Sequence, residues 1–597
     1  MHLDGLLQVI GEFGTYQRRQ YFLVCLVGLY AILPLLTTVF LAATPKHHCK
    51  LPADYVARAE RIYGNLSREE LLNLSIPWEE NGGQLTRSSC KLYPWTRPNQ
   101  TLTPYNETYS VPSVNETESI ACPLGLEYSQ DIYTSTVVSE FDLSCGREWM
   151  VGASQSAFFV GKMVGDAFTG TVSDRTTYSR SHGCFRFGRR PTFLVAVMFS
   201  ASVGVVTALS PSMTVYIASL GLQGFVSGCV LLSIYTLGIE FVGPSKRKLA
   251  GFGIMYFFSF GYFYIVLFAY FIRDWRHLNL ALLVPGYLFG LYYFVLPESF
   301  RWLLSRNRTE EAVDLIRAIS RTNIKSEPDA ETIQSVLEDE DEVVLSPRTH
   351  TPVDLLRTWR RAALTANVCF NWMVNSMVYY GLTLNLESLG GNLYLNFLLM
   401  GAIEYPGYTL ALVLLDKIGR RRTLAASMVL GGVACIVSGS LPADLHWLIL
   451  TLAVLGKMGI SASFTIIYVV TAEVYPTVIR TIAMGMSSTF ARVGSAVTPQ
   501  VFLLKETIAA LPFIILGVES ILAGLLSLLL PETMCRDLPQ NLEEFDNMLA
   551  SPRVCKGTKL KETRRKTRNI RENIKTADNE WSDAKDSCLA HGNTTDI

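Results

Sequence analysis

The chain has 597 residues, 49% of them hydrophobic and 17% charged, and its formal net charge is zero. A soluble chain of this length carries about 25% charged residues, and a nucleic-acid binder shows a basic face. Here the charges gather in a few loops and the tail, which excludes nucleic acid as a partner and points to the lipid bilayer.

Twelve apolar runs of about 20 residues lie near 21–43, 149–172, 190–210, 213–239, 250–271, 278–297, 362–384, 394–416, 421–441, 445–472, 480–503 and 511–531. Each can cross about 30 Å of hydrocarbon as a helix, an element that satisfies its own backbone there. The fold class expected is an all-α polytopic membrane protein with twelve transmembrane helices in two homologous six-helix bundles, residues 21–297 and 362–535.

Residues 1–20 read as a cytosolic N-terminus, too polar for a cleaved signal peptide, and the run 21–43 is too long for its apolar core. Residues 44–148 then interrupt the pattern with a polar segment. It holds Cys49, Cys90, Cys122 and Cys145 and five N-x-S/T sequons, at Asn65, Asn73, Asn99, Asn106 and Asn115. Together these mark an oxidised, glycosylated extracellular loop. Two disulfides are expected, and sequence leaves their three possible connectivities open. With helix 1 leading outward, the loops after helices 2, 4, 8 and 10 face the cytosol and carry most of the loop arginines and lysines, as the positive-inside rule requires.

Residues 298–361 read as a cytosolic linker with an amphipathic helix opening at Thr309 and a solvated acidic run, Glu338 to Glu342. Residues 536–597 form a cytosolic tail with ten lysines or arginines between Arg553 and Lys575, a composition that can bind anionic lipid.

One cytosolic loop occurs twice. Leu415-Asp416-Lys417-Ile418-Gly419-Arg420-Arg421-Arg422 is echoed by Ser173-Asp174-Arg175, which resumes at Phe187-Gly188-Arg189-Arg190. Glu240 precedes Arg247 as Glu473 precedes Arg480, and Pro297-Glu298-Ser299 returns as Pro531-Glu532-Thr533. The offsets are 233 (473 − 240), 234 (532 − 298) and 231 (419 − 188), but 242 (416 − 174) on the aspartates. Thr176–Arg186 is therefore an 11-residue insertion in the first copy. Two repeats of this kind are the plan of a carrier that works by alternating access. Asp174 and Asp416 can pair with the arginines beyond the glycine, Arg189 and Arg420. Glu240 with Arg247 and Glu473 with Arg480 are further gating or coupling pairs.

No catalytic constellation is present, so an enzyme is not expected. Gly238 to Ser245 mimics a phosphate-binding loop but has Pro244 where lysine is needed. The histidines show no metal-ligand pairing, so neither a metal nor a cofactor is expected. Polar residues inside membrane spans are costly and default to function or to a paired structural role. They are Arg492 in helix 11, Glu404 in helix 8, and Lys162 with Asp166, which at i and i+4 read as an internally neutralised pair. Arg492 keeps its proton and needs a carboxylate or a water-filled cavity. Trp372 and Tyr379 share one helix face, and aromatic faces attract ammonium groups. Arg492 can take a carboxylate while Glu404 and these aromatics take an ammonium, which describes a small zwitterion. An organic anion would need a second cation, which only Lys162 is expected to supply.

Ser139-Glu140-Phe141-Asp142-Leu143-Ser144-Cys145, Pro297-Glu298-Ser299-Phe300-Arg301-Trp302-Leu303 and Ala472-Glu473-Val474-Tyr475-Pro476-Thr477-Val478-Ile479-Arg480 resemble the major facilitator superfamily, and within it solute carrier family 22. The pairing of Arg492 with Tyr408 is similar to the carnitine and zwitterion branch, where cation members have aspartate and anion members add a lysine. The resemblance implies a multi-pass plasma-membrane carrier of organic zwitterions or cations. It also implies a substrate pocket at Phe260, Trp372, Tyr379, Glu404, Tyr408, Phe464, Thr465 and Arg492, and a sodium link at Glu473. Coupling to Na+ or H+ is left open. The rival readings are an organic-anion exchanger and a non-transporting membrane receptor.

Overall fold

The computed structural model describes residues 11–550, except 65, 82–83, 94–118, 176–187, 306–307, 324–350, 477, 535–538 and 540. The insertion Thr176–Arg186, the acidic run, the basic tail and Asn65, Asn99, Asn106 and Asn115 lie outside the described residues.

The apolar runs fold into twelve long helical units. In the first half, α1 is Thr15–Leu36, continued by Thr38–Leu41, and begins six residues before the expected apolar boundary. It is followed by α2 (Trp149–Arg175), α3 (Arg189–Ala208), α4 (Met213–Glu240) and α5 (Arg247–Phe271). The last is α6, Trp275–Leu283, extended by the 3-10 turn Val284–Leu291 and by Tyr292–Val295. In the second half, α7 is Trp359–Leu384, and α8 is Leu393–Ala402 with Glu404–Ile418. The remaining helices are α9 (Arg420–Ser440), α10 (His446–Val474), α11 (Arg480–Phe502) and α12 (Leu511–Ser527).

Polar residues set several of the starts. Ser212 caps α4, Asp274 caps α6, Thr358 caps α7 and Asn392 caps α8, each accepting a backbone N–H of the first turn. The interruption of α8 at Ile403 has a local cause. Pro406 lacks the N–H that would bond to Ala402, so the helix restarts at Glu404.

Among the described residues, eight helices are long and apolar enough to cross a membrane, and α12 is a shorter apolar helix. The long helices α2, α7 and α11 fall outside that set because polar residues interrupt them. Two of these, α2 and α11, pack on each other across the two halves. Across the halves α5 also packs against α8, Phe40 of α1 meets Tyr394 and Phe397 of α8, and Phe159 of α2 meets Tyr380 of α7. One apolar core runs continuously through both bundles.

Between α1 and α2 the chain builds a small domain of short antiparallel strand pairs. His47–Cys49 pairs with Leu126–Tyr128, Trp78–Asn81 with Gln84–Arg87, and Lys91–Leu92 with Ile120–Ala121. Its disulfides join Cys49 to Cys122 and Cys90 to Cys145, which fixes the connectivity that sequence left open. Asn73 is exposed, and its carbonyl accepts from Arg87 Nε at 2.8 Å.

After α6, Phe300–Ser305 and Thr309–Asn323 fold back as two helices. Their apolar sides, including Phe300, Trp302, Ile316 and Ile319, meet beside Tyr16. The last described helix, Leu542–Ala550, docks under the second half. There Phe545 packs on Tyr475, and Asp546 pairs with buried Arg361 at 2.5 Å.

Candidate functional site

The two copies of the repeated loop take the same form. Gly188 and Gly419 precede α3 and α9, whose first backbone N–H groups have no partner within the helix. Glu298 accepts from Arg189 N at 3.0 Å and Arg190 N at 3.2 Å. Glu532 accepts from Arg420 N at 3.0 Å and Arg421 N at 3.3 Å. A carboxylate at a helix N-terminus also meets the positive end of the helix dipole. The glycines make room for it: a Cβ on Gly188 would lie 2.0 Å from Glu298 Oε2, and one on Gly419, at φ +101°, 2.8 Å from Glu532 Oε2. Burial raises the Glu298 carboxyl above its ordinary range, against the pull of these donors. The repeated glycine loop and the repeated Pro-Glu motif are thus two ends of one contact.

The remaining loop charges pair differently from the sequence expectation. Glu473 takes Arg420, at 3.0 and 3.1 Å, together with the Thr533 hydroxyl at 2.5 Å. Arg480 instead donates to Tyr475 O at 3.3 Å. The seven residues from Glu473 to Arg480 cross the break between α10 and α11, and the carboxylate takes the arginine delivered by the neighbouring loop instead. In the first half, Glu240 faces Arg189 at 3.9 Å, while Arg247 is half-buried at the start of α5. Asp416 is exposed at the end of α8 and acts on Arg420 electrostatically. Asp174 lies in the last turn of α2.

Deeper in the bundle are two ion pairs. Glu404 stands 11 residues into α8 (404 − 393) and Lys457 11 residues into α10 (457 − 446), each about 16 Å along its helix. Lys457 Nζ is 3.2 Å from Glu404 Oε1, with both side chains fully buried. It also donates to Thr383 Oγ1 at 2.6 Å and sits over the Tyr379 ring, 3.0 Å from its centroid. Glu404 further accepts from Tyr379 Oη at 2.7 Å, Tyr408 Oη at 3.1 Å and Tyr262 Oη at 3.4 Å, and from Ser259 Oγ. Ser259 and Tyr262 come from α5, so this network closes the α5–α8 seam. With five donors, the carboxylate's acceptor sites are filled.

The second pair closes the other seam. Arg492 of α11 meets Asp166 of α2, Nε to Oδ2, at 3.0 Å; their side chains are 6% and 21% exposed. Asp166 therefore pairs across the halves, and the expected Lys162–Asp166 pair is not formed. Tyr380 and Tyr468 stand beside Arg492. Trp372 is buried, donates to Thr471 Oγ1 at 2.9 Å, and lies 4.3 Å from the Tyr468 ring and 6.2 Å from Phe464. Phe464 also meets Tyr379 at 5.7 Å. Phe464, Thr465 and Tyr468 are half-buried.

Phe260 stands apart from this group. It is 51% exposed, meets Phe263, and lies on a different face of α5 from Ser259 and Tyr262. Lys457 was missed and removes the expectation that only Lys162 could be a second cation. It lies within Leu455-Gly456-Lys457-Met458-Gly459, a lone charge in an apolar run. The rule that selected Arg492 and Glu404 selects it equally well.

Twelve helices in two matching halves, charges buried at both seams and an acid cap repeated in each half are the architecture of a membrane carrier. The family model described as "Sugar (and other) transporter" matches residues 125–548. The Drosophila melanogaster organic cation transporter protein is 37% identical over 92% of this chain and 96% of that protein. Mouse solute carrier family 22 member 21 is 34% identical over 91% and 93%. Human organic cation/carnitine transporter 2 is 33% identical over 95% and 97%. The proton:xylose symporter XylE shares the fold, with a TM-score of 0.54 at 16% identity over 90% of this chain and 99% of that one. The chain belongs to the major facilitator superfamily and, within it, to solute carrier family 22.

Proposed function

We propose that this carrier moves small organic zwitterions or organic cations, of the carnitine, betaine or amino-acid type, across the plasma membrane by alternating access. The observation that carries the reading is Arg492, a buried guanidinium at the seam of the two halves, beside Tyr468, whose half-buried ring meets that of Phe464. A guanidinium binds a carboxylate, and aromatic faces bind an ammonium at about 0.5–2 kcal/mol each. Glu404 is already held by Lys457 and four hydroxyls, so the substrate ammonium falls to the rings. Glu473, tied to the cytosolic loop through Arg420, is the residue through which Na+ or H+ would be coupled to gating.

One observation favours an organic anion as the second reading. Lys162, Lys457 and Arg492 are three buried cations set against two acids, Asp166 and Glu404.

The test is uptake of labelled carnitine, a β-amino acid, a quaternary ammonium and a dicarboxylate into cells expressing the chain, each with sodium and with N-methylglucamine. Zwitterion or amine uptake that Arg492→Ala abolishes for the carboxylate-bearing substrates supports the proposal. Preferred uptake of the dicarboxylate selects the anion reading. No uptake despite normal surface expression defeats both.

A further inference from the structure

We infer that Asp166 is an exchangeable internal anion. It holds Arg492 in the empty carrier and swings to Lys162 when a substrate carboxylate takes its place. This rests on the reading that Arg492 receives a carboxylate, and adds the residue that gives up the seat.

Three charges make up the device. Lys162 and Asp166 lie on α2 at i and i+4, one above the other on the same face. Arg492 reaches Asp166 from α11. Lys162 is 4% exposed and, among the described residues, makes neither an ion pair nor a hydrogen bond, although Asp166 and Arg492 both act on it electrostatically. Two cations thus share one carboxylate, and the cluster is one anion short. An unpaired buried charge is unfavourable, and an arriving carboxylate removes the deficit. Arg492 then holds the substrate, Lys162 holds Asp166, and both pairs are complete.

The exchange needs side-chain rotation only, because an i,i+4 pair is already within reach on a helix. The space for it is provided by α4. A Cβ on Gly228 would lie 2.6 Å from Asp166 Oδ1 and 2.9 Å from Lys162 O, so a side chain there would occupy the carboxylate's position. The same arrangement gives Asp166 a role in the return step. An empty carrier must reorient with its guanidinium buried, and Asp166 is the anion that accompanies it. Asp166 is therefore a positioning residue that sets both specificity and the cost of returning empty.

The experiment uses the full-length carrier in liposomes, with labelled carnitine and choline as probes; choline carries the same trimethylammonium without the carboxylate. Net uptake into empty liposomes is compared with exchange into liposomes preloaded with the same compound. Asp166→Asn is expected to lower net carnitine uptake about tenfold or more while exchange stays within about twofold, since only the loaded carrier then gives Arg492 an anion, and Lys162 is unpaired in both forms. Lys162→Gln removes the parking place, so the carnitine-to-choline ratio of half-saturating concentrations rises about tenfold.

If Asp166→Asn reduces net uptake and exchange by the same factor in wild-type-like liposomes, the inference is overturned. If Asp166→Asn does not fold, an unchanged ratio in Lys162→Gln overturns it instead. A wild-type carrier that takes neither carnitine nor another carboxylate defeats the substrate reading and the inference together. One that takes carnitine but shows the coupled loss defeats the inference alone.

Discussion

Glu404–Lys457 and Asp166–Arg492 are both short ion pairs set deep among apolar helices, yet they are built on different plans. The first lies within the second half, between α8 and α10, is wholly buried, and is surrounded by Thr383, Tyr379, Tyr408, Tyr262 and Ser259. The second joins the two halves, leaves Asp166 about one-fifth exposed, and has an uncommitted cation one helical turn away. A saturated buried pair specifies structure, because every alternative leaves a charge or a hydroxyl unsatisfied. An incomplete pair on a moving interface can be exchanged. Both networks reach across the halves, so saturation of the pair, more than burial or place at the seam, separates scaffold from working part.

The sharpest way to break this comparison is Lys457→Met, which leaves the Glu404 carboxylate buried without its cation. A loss of about 3–5 kcal/mol is expected, seen as loss of folded carrier in thermal unfolding of the purified protein. The double variant Glu404→Gln/Lys457→Met should recover much of it. Arg492→Ala should unfold at a temperature closer to wild type yet lower uptake of carboxylate-bearing substrates about tenfold or more. Equal stability losses in the two cases would erase the distinction.

A smaller effect is expected at the second copy of the repeated loop. Arg420 grips Glu473 in two hydrogen bonds. Arg420→Ala should therefore cost about 1–3 kcal/mol, seen as a lower unfolding temperature. Smallest is Arg361→Ala, which releases the tail helix, through its Asp546, from α7. Asp546 is 44% exposed, so a loss of about 0.5–1 kcal/mol is expected, with faster proteolysis between Asn541 and Ala550 as the readout.

Much of this was legible in the sequence because membrane solvent makes few allowances. A run of 20 apolar residues has one stable form there, and a charge in such a run stands out, so the helices, Arg492 and Glu404 could be read directly. Partners could not. Asp166 is four residues from Lys162 and 326 from Arg492, and local spacing suggested the wrong choice. Lys457 became part of the site only when α8 and α10 were packed together. The repeated Pro-Glu and glycine loops were visible as repeats, but their contact with each other was not, since it joins residues 110 positions apart (298 − 188) in one half and 113 (532 − 419) in the other. Phe260 was carried over by resemblance, and a one-residue step on α5 turns it away from the face that holds Ser259 and Tyr262.

The acid caps have a mechanical consequence. The chain leaving each bundle is fastened by its own glutamate to the start of that bundle's third helix, so each half is a clasped ring. A clasped ring resists shear among its own helices and turns as a single leaf. Cutting one clasp would therefore be felt across its whole leaf, because the carboxylate that closes the ring also caps a helix inside it.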